Sequence, residues 1–169
     1  MQEVYLDYIE IGETKKGKEL FKILENMEMP IYIEASNDAC LNWTRGIDKN
    51  GNPVDIGDPK AVKYVVTVGK DETMPTWFHG KNKDGKHIIY QASRMRVLAH
   101  EMGHLTGTKD DGGFLGFGSQ MNNTNEWENP IMTPIDGITR TGYIGVNPKT
   151  HNQDWGKYHQ QCDKAEQWR

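Results

Sequence analysis

The chain has 169 residues, of which 36% are hydrophobic and 26% charged, so it is long enough to bury one sizeable core in a single domain. Twenty Lys and Arg against 24 Asp and Glu give a formal net charge of −4, which argues against a surface that binds nucleic-acid phosphates. The sequence has no long apolar run and begins with acidic residues, so it predicts neither a membrane span nor a secretory signal peptide.

The first third of the chain predicts two strands on either side of one helix. Residues 4–11 alternate apolar with polar or acidic side chains, which is the period of a half-buried strand. Thr14 precedes a segment with apolar residues at helical spacing, and Pro30 ends the helix predicted there. Residues 31–33 predict a short strand, and the NGNP run at 50–53 predicts a turn.

The middle of the chain predicts two further strands with a polar loop between them. Residues 61–68 are β-branched and are followed by glycine, so they predict the clearest strand of the chain. The residues from 71 to 86 predict a polar loop, and residues 87–91 predict a short strand after it.

The segment RMRVLAHEMGHLT predicts a helix late in the chain. Ser93 is a suitable N-cap for this helix, and Gly107 ends it. Residues 108–153 are rich in Gly, Asn, Thr and Pro and predict loops, whereas residues 154–169 predict a polar helix. We therefore expect a single α+β domain with its strands early and one active-site helix late.

The two cysteines exclude two kinds of site. Cys40 and Cys162 can form at most one disulfide. Neither lies in a Cys-x-x-Cys, so the sequence predicts no cysteine zinc site and no thiol redox motif.

The HExxH sequence within the predicted helix carries the chemistry of the chain. Residues i and i+4 lie on one helix face, so His100 and His104 can reach one ion, and neutral imidazoles suit zinc. Glu101 is rotated about 100° around the helix from His100, which places it against water on the metal rather than against the metal. We predict that Glu101 is the general base, taking a proton from zinc-bound water and delivering it to a leaving amine. Gly103 predicts close packing beside the metal.

A third ligand is needed, and the spacing leaves two acids open. Asp110 completes HExxHxxGxxD, which resembles the metzincin pattern with Asp in place of the third histidine. Glu128 comes from a later segment, which is how gluzincin-type sites complete two histidines with one carboxylate. If Glu128 is the ligand, Asp110 and Asp111 either accept the other ring N–H of a ligand histidine or anchor the loop.

Three runs of the sequence resemble bacterial effector-type zinc metallopeptidases. They are LAHEMGHLTGTKDDG, MNNTNEWENPIM and ITRTGY, and the early GETKKGKELFKIL is similar to the opening strand-to-helix segment of that family. The group includes NleD-like injected effectors and peptidase domains fused to VgrG or Rhs secretion proteins. The similarity covers much of residues 9–143, and its most specific pieces are HExxH, the ENP block and Arg-Thr-x-Tyr.

The resemblance implies a zincin-like fold, with a small mixed sheet, an active-site HExxH helix and a loop-rich C-terminal part. It implies that His100 and His104 bind Zn²⁺ with Glu101 as the base, and it ranks Glu128 above Asp110 as the third ligand. The family often continues into a helix after Glu-Asn, and the prolines that follow in this chain depart from that pattern.

The TRTGY run holds the candidates for one further catalytic role. A zinc peptidase needs a donor for the oxyanion of its tetrahedral intermediate, and a tyrosine hydroxyl or a guanidinium can supply it. Tyr143 is the predicted catalytic donor, and Arg140 lies in the same run. The alternative for Tyr143 is an aromatic residue of the core or of the cleft rim.

These features together predict that residues 1–169 form a zinc-dependent endopeptidase. The resemblance implies a toxin domain at the C-terminal end of a longer secreted protein, delivered into a target cell by a contact-dependent secretion system. It also implies a protein substrate in the recipient and a cognate immunity protein in the producer.

Two other functions compete with the peptidase prediction. One is a binding protein with a closed structural zinc site, formed by both histidines with Asp110 and Glu128. The other is a zinc hydrolase that acts on a non-peptide amide. Glu101 distinguishes the peptidase from the first rival, because a structural zinc site needs no acid at that position.

Overall fold

The computed structural model describes residues 2–38, 41–108 and 121–142, together with Val146 and Lys149. These residues form four α-helices, one π-helix and two small sheets. The α+β class predicted from the sequence is therefore confirmed. Within the described part of the chain, no helix is both long and apolar enough to cross a membrane.

The larger sheet has four strands in the spatial order β1-β4-β2-β3. The strands are β1 (Ile31–Ser36), β2 (Trp43–Asp48), β3 (Pro53–Val54) and β4 (Ala61–Gly69). β4 lies between β1, to which it is parallel, and β2, to which it is antiparallel. Its side chains Val65, Val66 and Val68 are buried, as expected for a strand covered on both faces. The strands and the turn predicted for this region are confirmed.

The smaller sheet contains a strand that the sequence does not predict. It is formed by β5 (Thr73–Lys81), β6 (His87–Ser93) and β7 (Thr139–Arg140), in the order β6-β5-β7. The polar loop predicted across β5 is wrong. Pro75 cannot donate a ladder hydrogen bond, and the register between β5 and β6 is irregular around it, between Thr73 and Trp77. Regular pairing resumes at Trp77, so a proline near one end hides a strand of ordinary length.

The N-terminal segment is a helix, and the strand predicted at residues 4–11 is wrong. Helix α1 spans Gln2–Glu13, and its buried residues Val4, Asp7 and Ile11 recur at intervals of three and four. Leu6, which fits the strand pattern, is more than half exposed. Because most positions of this segment are apolar, the sequence fits both the strand period of two and the helical period of about 3.6. Packing against the rest of the chain favours the helix.

Helix α2 follows where the sequence predicts it, over Lys15–Glu25. The hydroxyl of Thr14 caps it by accepting a hydrogen bond from the backbone N–H of Gly17 at 2.9 Å. The helix ends before Pro30, because Asn26 forms the C-cap and its side-chain amide donates to a backbone carbonyl of the last turn. The predicted helix is confirmed, and its predicted end is several residues too late.

Helix α3 spans Arg94–His104 and carries the HExxH motif at its C-terminal end. The hydroxyl of Ser93 accepts from the backbone N–H of Arg96 at 3.2 Å, which confirms the predicted N-cap. Gly107 takes a left-handed conformation, with φ of 85°, just beyond the helix. α1 is fixed against the start of α3 by an ion pair of 2.6 Å between Nε of Arg94 and Oδ2 of Asp7.

Two short helices occupy part of the region predicted as loops. A π-helix spans Thr124–Glu128, and helix α4 (Asn129–Asp136) continues directly from it. The backbone N–H of Asn129 donates to the carbonyl of Thr124, which is the i to i+5 bond of a π-helix. Pro130 lies in the first turn of α4, where no N–H is required. The chain therefore enters a helix after Glu-Asn in spite of its prolines.

Gly103 allows the π-helix segment to pack directly against α3. A Cβ atom at Gly103 would overlap Oδ1 of Asn123 and lie 3.0 Å from Cβ of Trp127. The side-chain amide of Asn123 in turn donates to the backbone carbonyl of His100 at 2.6 Å. The close packing predicted for Gly103 is present, and the partner is the polypeptide of the π-helix segment.

Candidate metal centre

The last turn of α3 presents two imidazole rings to the same place. The rings of His100 and His104 are perpendicular, with centroids 4.9 Å apart. This proximity follows from their i, i+4 spacing on one helix face. His100 is buried, and His104 is half-buried next to the turn that ends the helix. The structure therefore brings together the two histidines that the sequence pairs as metal ligands.

Both rings are held through their Nδ1 atoms. Nδ1 of His104 lies 2.9 Å from the backbone carbonyl of Thr108, and Nδ1 of His100 lies 3.0 Å from Oε2 of Glu128. A carbonyl and an ionised carboxylate only accept hydrogen bonds, so Nδ1 of each ring is the nitrogen that carries the donated proton. A metal would then bind each ring through Nε2, which is the arrangement of ligand histidines whose other nitrogen is hydrogen-bonded.

The carboxylate of Glu101 contacts the larger sheet. The hydroxyl of Thr44, on β2, is 2.9 Å from Oε2 of Glu101 and 2.7 Å from its backbone carbonyl. Glu101 and His104 both line a cleft of about 690 Å³ between α3 and the β2–β3 hairpin. The acid and one ring of the motif therefore face a space that a substrate can enter.

Glu128 lies at the centre of a buried ionic cluster, here called the Glu128 cluster and made of Arg96, His100, Thr124, Glu128 and Arg140. Oε1 of Glu128 accepts from Nη1 of Arg96 at 3.0 Å. Oε2 accepts from Nη1 of Arg140 at 3.0 Å and from the hydroxyl of Thr124 at 3.2 Å, in addition to its contact with His100. The Glu128 side chain is fully buried, so none of these contacts is weakened by solvent.

Electrostatics keep the buried carboxylate ionised. Burial alone raises the pKa of Glu128, but the charge of Arg140, the hydrogen bond and charge of His100 and the charge of Arg96 together hold that pKa below its ordinary value. Charged donors on both oxygens therefore offset the cost of removing the carboxylate from water.

Arg96 and Thr124 are the residues of the cluster that the sequence patterns do not indicate, and Arg96 is the charged one. It lies one helical turn before His100, and its side chain is 1% exposed. Besides Glu128 it binds Oδ1 of Asp136 at 2.9 Å and the backbone carbonyl of Ile138 at 2.7 Å. A signal was available, because an arginine inside an apolar helix face needs a buried counter-charge. That counter-charge is Glu128.

Arg140 is taken up by the cluster as well. Its Nε donates to the carbonyl of Gly142 at 3.0 Å, and its guanidinium lies 4.0 Å from the ring centroid of Phe78. These contacts place Arg140 beside Glu128 in the protein interior, not on the wall of the cleft that Glu101 lines.

Some predicted site residues fall outside the described residues. They are Asp110 and Tyr143; both cysteines and the helix predicted at residues 154–169 also lie outside the described residues. Within the part of the chain that the structure describes, no three His, Cys, Asp or Glu side chains are grouped so as to hold a metal ion. Two imidazoles are in place, and the donor set fits zinc at those two positions. The assignment of the third ligand to Glu128 or Asp110 stays a prediction.

Comparisons with protein-family models, with curated proteins and with solved structures found no match to this chain. The activity is therefore argued from the geometry and chemistry of the site.

Proposed function

We propose that this chain is a zinc-dependent endopeptidase with a zincin-like arrangement, in which His100 and His104 bind the ion and Glu101 is the general base. The observation that carries the proposal is the pair of perpendicular imidazole rings, 4.9 Å apart, of which the ring of His104 lines a cleft together with Glu101. Metal ligands and a proton acceptor thus occur together where a substrate has access.

A zinc ion, when bound, supplies a Lewis acid that polarises a carbonyl and lowers the pKa of a coordinated water to about 7. The residues of the chain supply the rest. His100 and His104 provide two neutral nitrogen ligands, and Asp110 and Glu128 are the acids predicted to complete the set.

Glu101 supplies the proton transfer. Its carboxylate would accept a proton from the attacking water and deliver it to the leaving amine nitrogen. The two peptide fragments of the substrate then separate. The contact of Glu101 with Thr44 is to a single neutral hydroxyl. This hydroxyl donates to the carboxylate and orients it.

The proposed setting follows from the sequence resemblance alone. The residues of the HExxH, ENP and Arg-Thr-x-Tyr pieces support a bacterial effector or toxin that is delivered into a target cell by a contact-dependent secretion system. A protein of the recipient is then the substrate, and the producer carries an immunity protein against it.

The proposal is tested by searching for metal-dependent cleavage. Purified chain, loaded with zinc, is incubated with a denatured protein library with and without chelator, and new peptide termini are read by mass spectrometry. We expect chelator-sensitive cuts and one bound zinc per chain. Glu101→Gln should keep the zinc and lower the cleavage rate by about 10²–10⁴-fold, the usual contribution of a general base.

The control is Glu10→Gln, which changes an exposed carboxylate on helix α1 and should leave the cleavage rate unchanged. Full activity in Glu101→Gln would contradict the assignment of the base. Stoichiometric zinc without any chelator-sensitive cut would favour the structural-site rival. A chain that binds no zinc after reconstitution would overturn the proposed function as a whole.

A further inference from the structure

The contacts of Glu128 distinguish a metal ligand from a group that holds a ligand in place. A carboxylate that binds zinc directs an oxygen lone pair at the ion. In this structure Oε2 accepts from three donors, His100, Thr124 and Arg140, and Oε1 accepts from Arg96. The oxygen nearest to His100 thus has its lone pairs directed at donors of the chain.

The position of Glu128 relative to the His100 ring leads to the same conclusion. Oε2 contacts Nδ1 of that ring at 3.0 Å. Nδ1 and Nε2 are on different edges of the ring, so an ion bound at Nε2 lies on the far side from Glu128. Nδ1 of His104 is bound in the same way to the carbonyl of Thr108, so an ion would bind this ring through Nε2 as well.

We infer that Glu128 is a positioning residue, which accepts the Nδ1–H of His100 and thereby fixes the tautomer and orientation that direct Nε2 at the metal. The inference rests on the proposed zinc site. It exchanges the two acids of the sequence analysis, because Glu128 takes the hydrogen-bonding role and Asp110 is left as the predicted third ligand.

The local sequence explains why Glu128 suits this role. Arg96 lies one turn before His100 on the same helix, so the helix that carries the ligand also carries one anchor of the carboxylate. Thr124 lies four residues before Glu128 and donates to it from the first residue of the π-helix. Arg140, on β7, supplies the second guanidinium. Helix, π-helix and sheet thus all fix the carboxylate, and the carboxylate fixes the ring.

The first test uses the unmodified, metal-free protein and needs no cleavage assay. Long-range ¹H–¹⁵N spectra at a pH where the ring is neutral report which nitrogen carries the proton, and the His100→Asn variant assigns the signals. We expect His100 to be protonated at Nδ1. Protonation at Nε2 would overturn the inference, whether or not the chain binds zinc.

The second test compares zinc affinity in two matched variants. Loss of a group that orients a ligand histidine typically costs about 10–100-fold in metal affinity, so we expect that loss in Glu128→Gln. The absorption bands of the cobalt-substituted protein should keep their positions, because the ligand set is unchanged. The control variant Glu10→Gln, which changes an exposed carboxylate on helix α1, should bind zinc as the unmodified chain does.

A different result in Glu128→Gln overturns the inference. If the variant folds but shows no zinc binding, and its cobalt bands shift, Glu128 is itself a ligand. If its affinity is unchanged, the hydrogen bond does not position His100. Should the variant fail to fold, the tautomer of the unmodified chain decides. Failure of the proposed function gives a different result, because the unmodified chain then binds no zinc. The tautomer of His100 can be measured in either case.

Discussion

The two sides of helix α3 hold the motif residues in different ways. On the cleft side, Glu101 is contacted by one neutral hydroxyl, that of Thr44. On the other side, His100 is contacted by the carboxylate of the Glu128 cluster, which is buried and bound by two guanidinium groups. One helix thus carries a lightly held acid and a firmly held imidazole, one residue apart.

The difference matches what the proposed chemistry asks of each residue. A general base must change its protonation state, and a fixed ionic partner would hold it in one state. A metal ligand must keep one tautomer and one direction, which a buried ionised acceptor maintains. Since a buried ion pair is weak evidence for stability, we interpret the Glu128 cluster as a device for geometry.

The largest effect is expected from removing an anchor of the cluster. Arg96→Met removes one of the two guanidinium groups that contact the buried Glu128 carboxylate, and breaking a buried ion pair costs about 3–5 kcal/mol in the free energy of unfolding. The matched change on the cleft side is Arg45→Met, which removes a guanidinium 4.5 Å from the ring centroid of Trp43. That contact is worth about 1 kcal/mol or less. Urea unfolding of both variants measures the contrast, and equal losses would remove the distinction between the two sides.

A second prediction concerns acid. The pKa of Glu128 is lower in the folded chain than in the unfolded chain, so its contribution to stability is complete above the unfolded pKa of about 4.3 and is lost as the pH falls towards the folded value. The difference in unfolding free energy between the unmodified chain and Glu128→Gln should therefore narrow below about pH 4, by up to about 1.4 kcal/mol per pH unit.

Urea unfolding of the metal-free proteins at pH 7, 4 and 3 measures this difference. The same series on Glu126→Gln, an exposed carboxylate of the π-helix, is the control. If the difference in unfolding free energy between the unmodified chain and Glu128→Gln is as large at pH 3 as at pH 7, Glu128 is not held in its ionised form.

The smallest effect is expected on the cleft side. Thr44→Val removes the hydroxyl that contacts Glu101, and loss of one such hydrogen bond costs about 1 kcal/mol in unfolding free energy. The matched control is Thr67→Val on β4, at the position that pairs with Trp43 of β2. The buried hydroxyl of Thr67 has no hydrogen-bond partner among the described residues. That change should be neutral or stabilising. If Thr44→Val does not change the unfolding free energy either, the hydroxyl of Thr44 does not help to hold Glu101 in position.

The parts of the fold that the sequence predicts are those with one dominant pattern. β4 has a run of β-branched residues, and α2 and α3 each have a capping hydroxyl before a helical repeat. Prediction fails where two patterns coincide, as in α1, or where a proline hides a strand, as in β5. The π-helix has no period that a search for helices or strands would detect.

The candidate site divides in the same way. The pairing of His100 with His104 follows from local spacing, so the sequence alone predicts it. The partner of each Nδ1 depends on where distant segments pack, and Glu128 is 28 residues from His100. The sequence therefore offers Glu128 only as a candidate third ligand, and spacing does not decide between it and Asp110.

Gly103 gives the motif a narrower definition than HExxH. Any side chain at that position would displace the segment that bears Asn123 and Trp127, and with it the carboxylate five residues after Asn123. We expect other proteins built this way to show Arg-x-x-x-His-Glu-x-Gly-His, followed downstream by Thr-x-x-x-Glu. Genomes can be searched with that longer signature, which separates this architecture from helices that merely carry two histidines one turn apart.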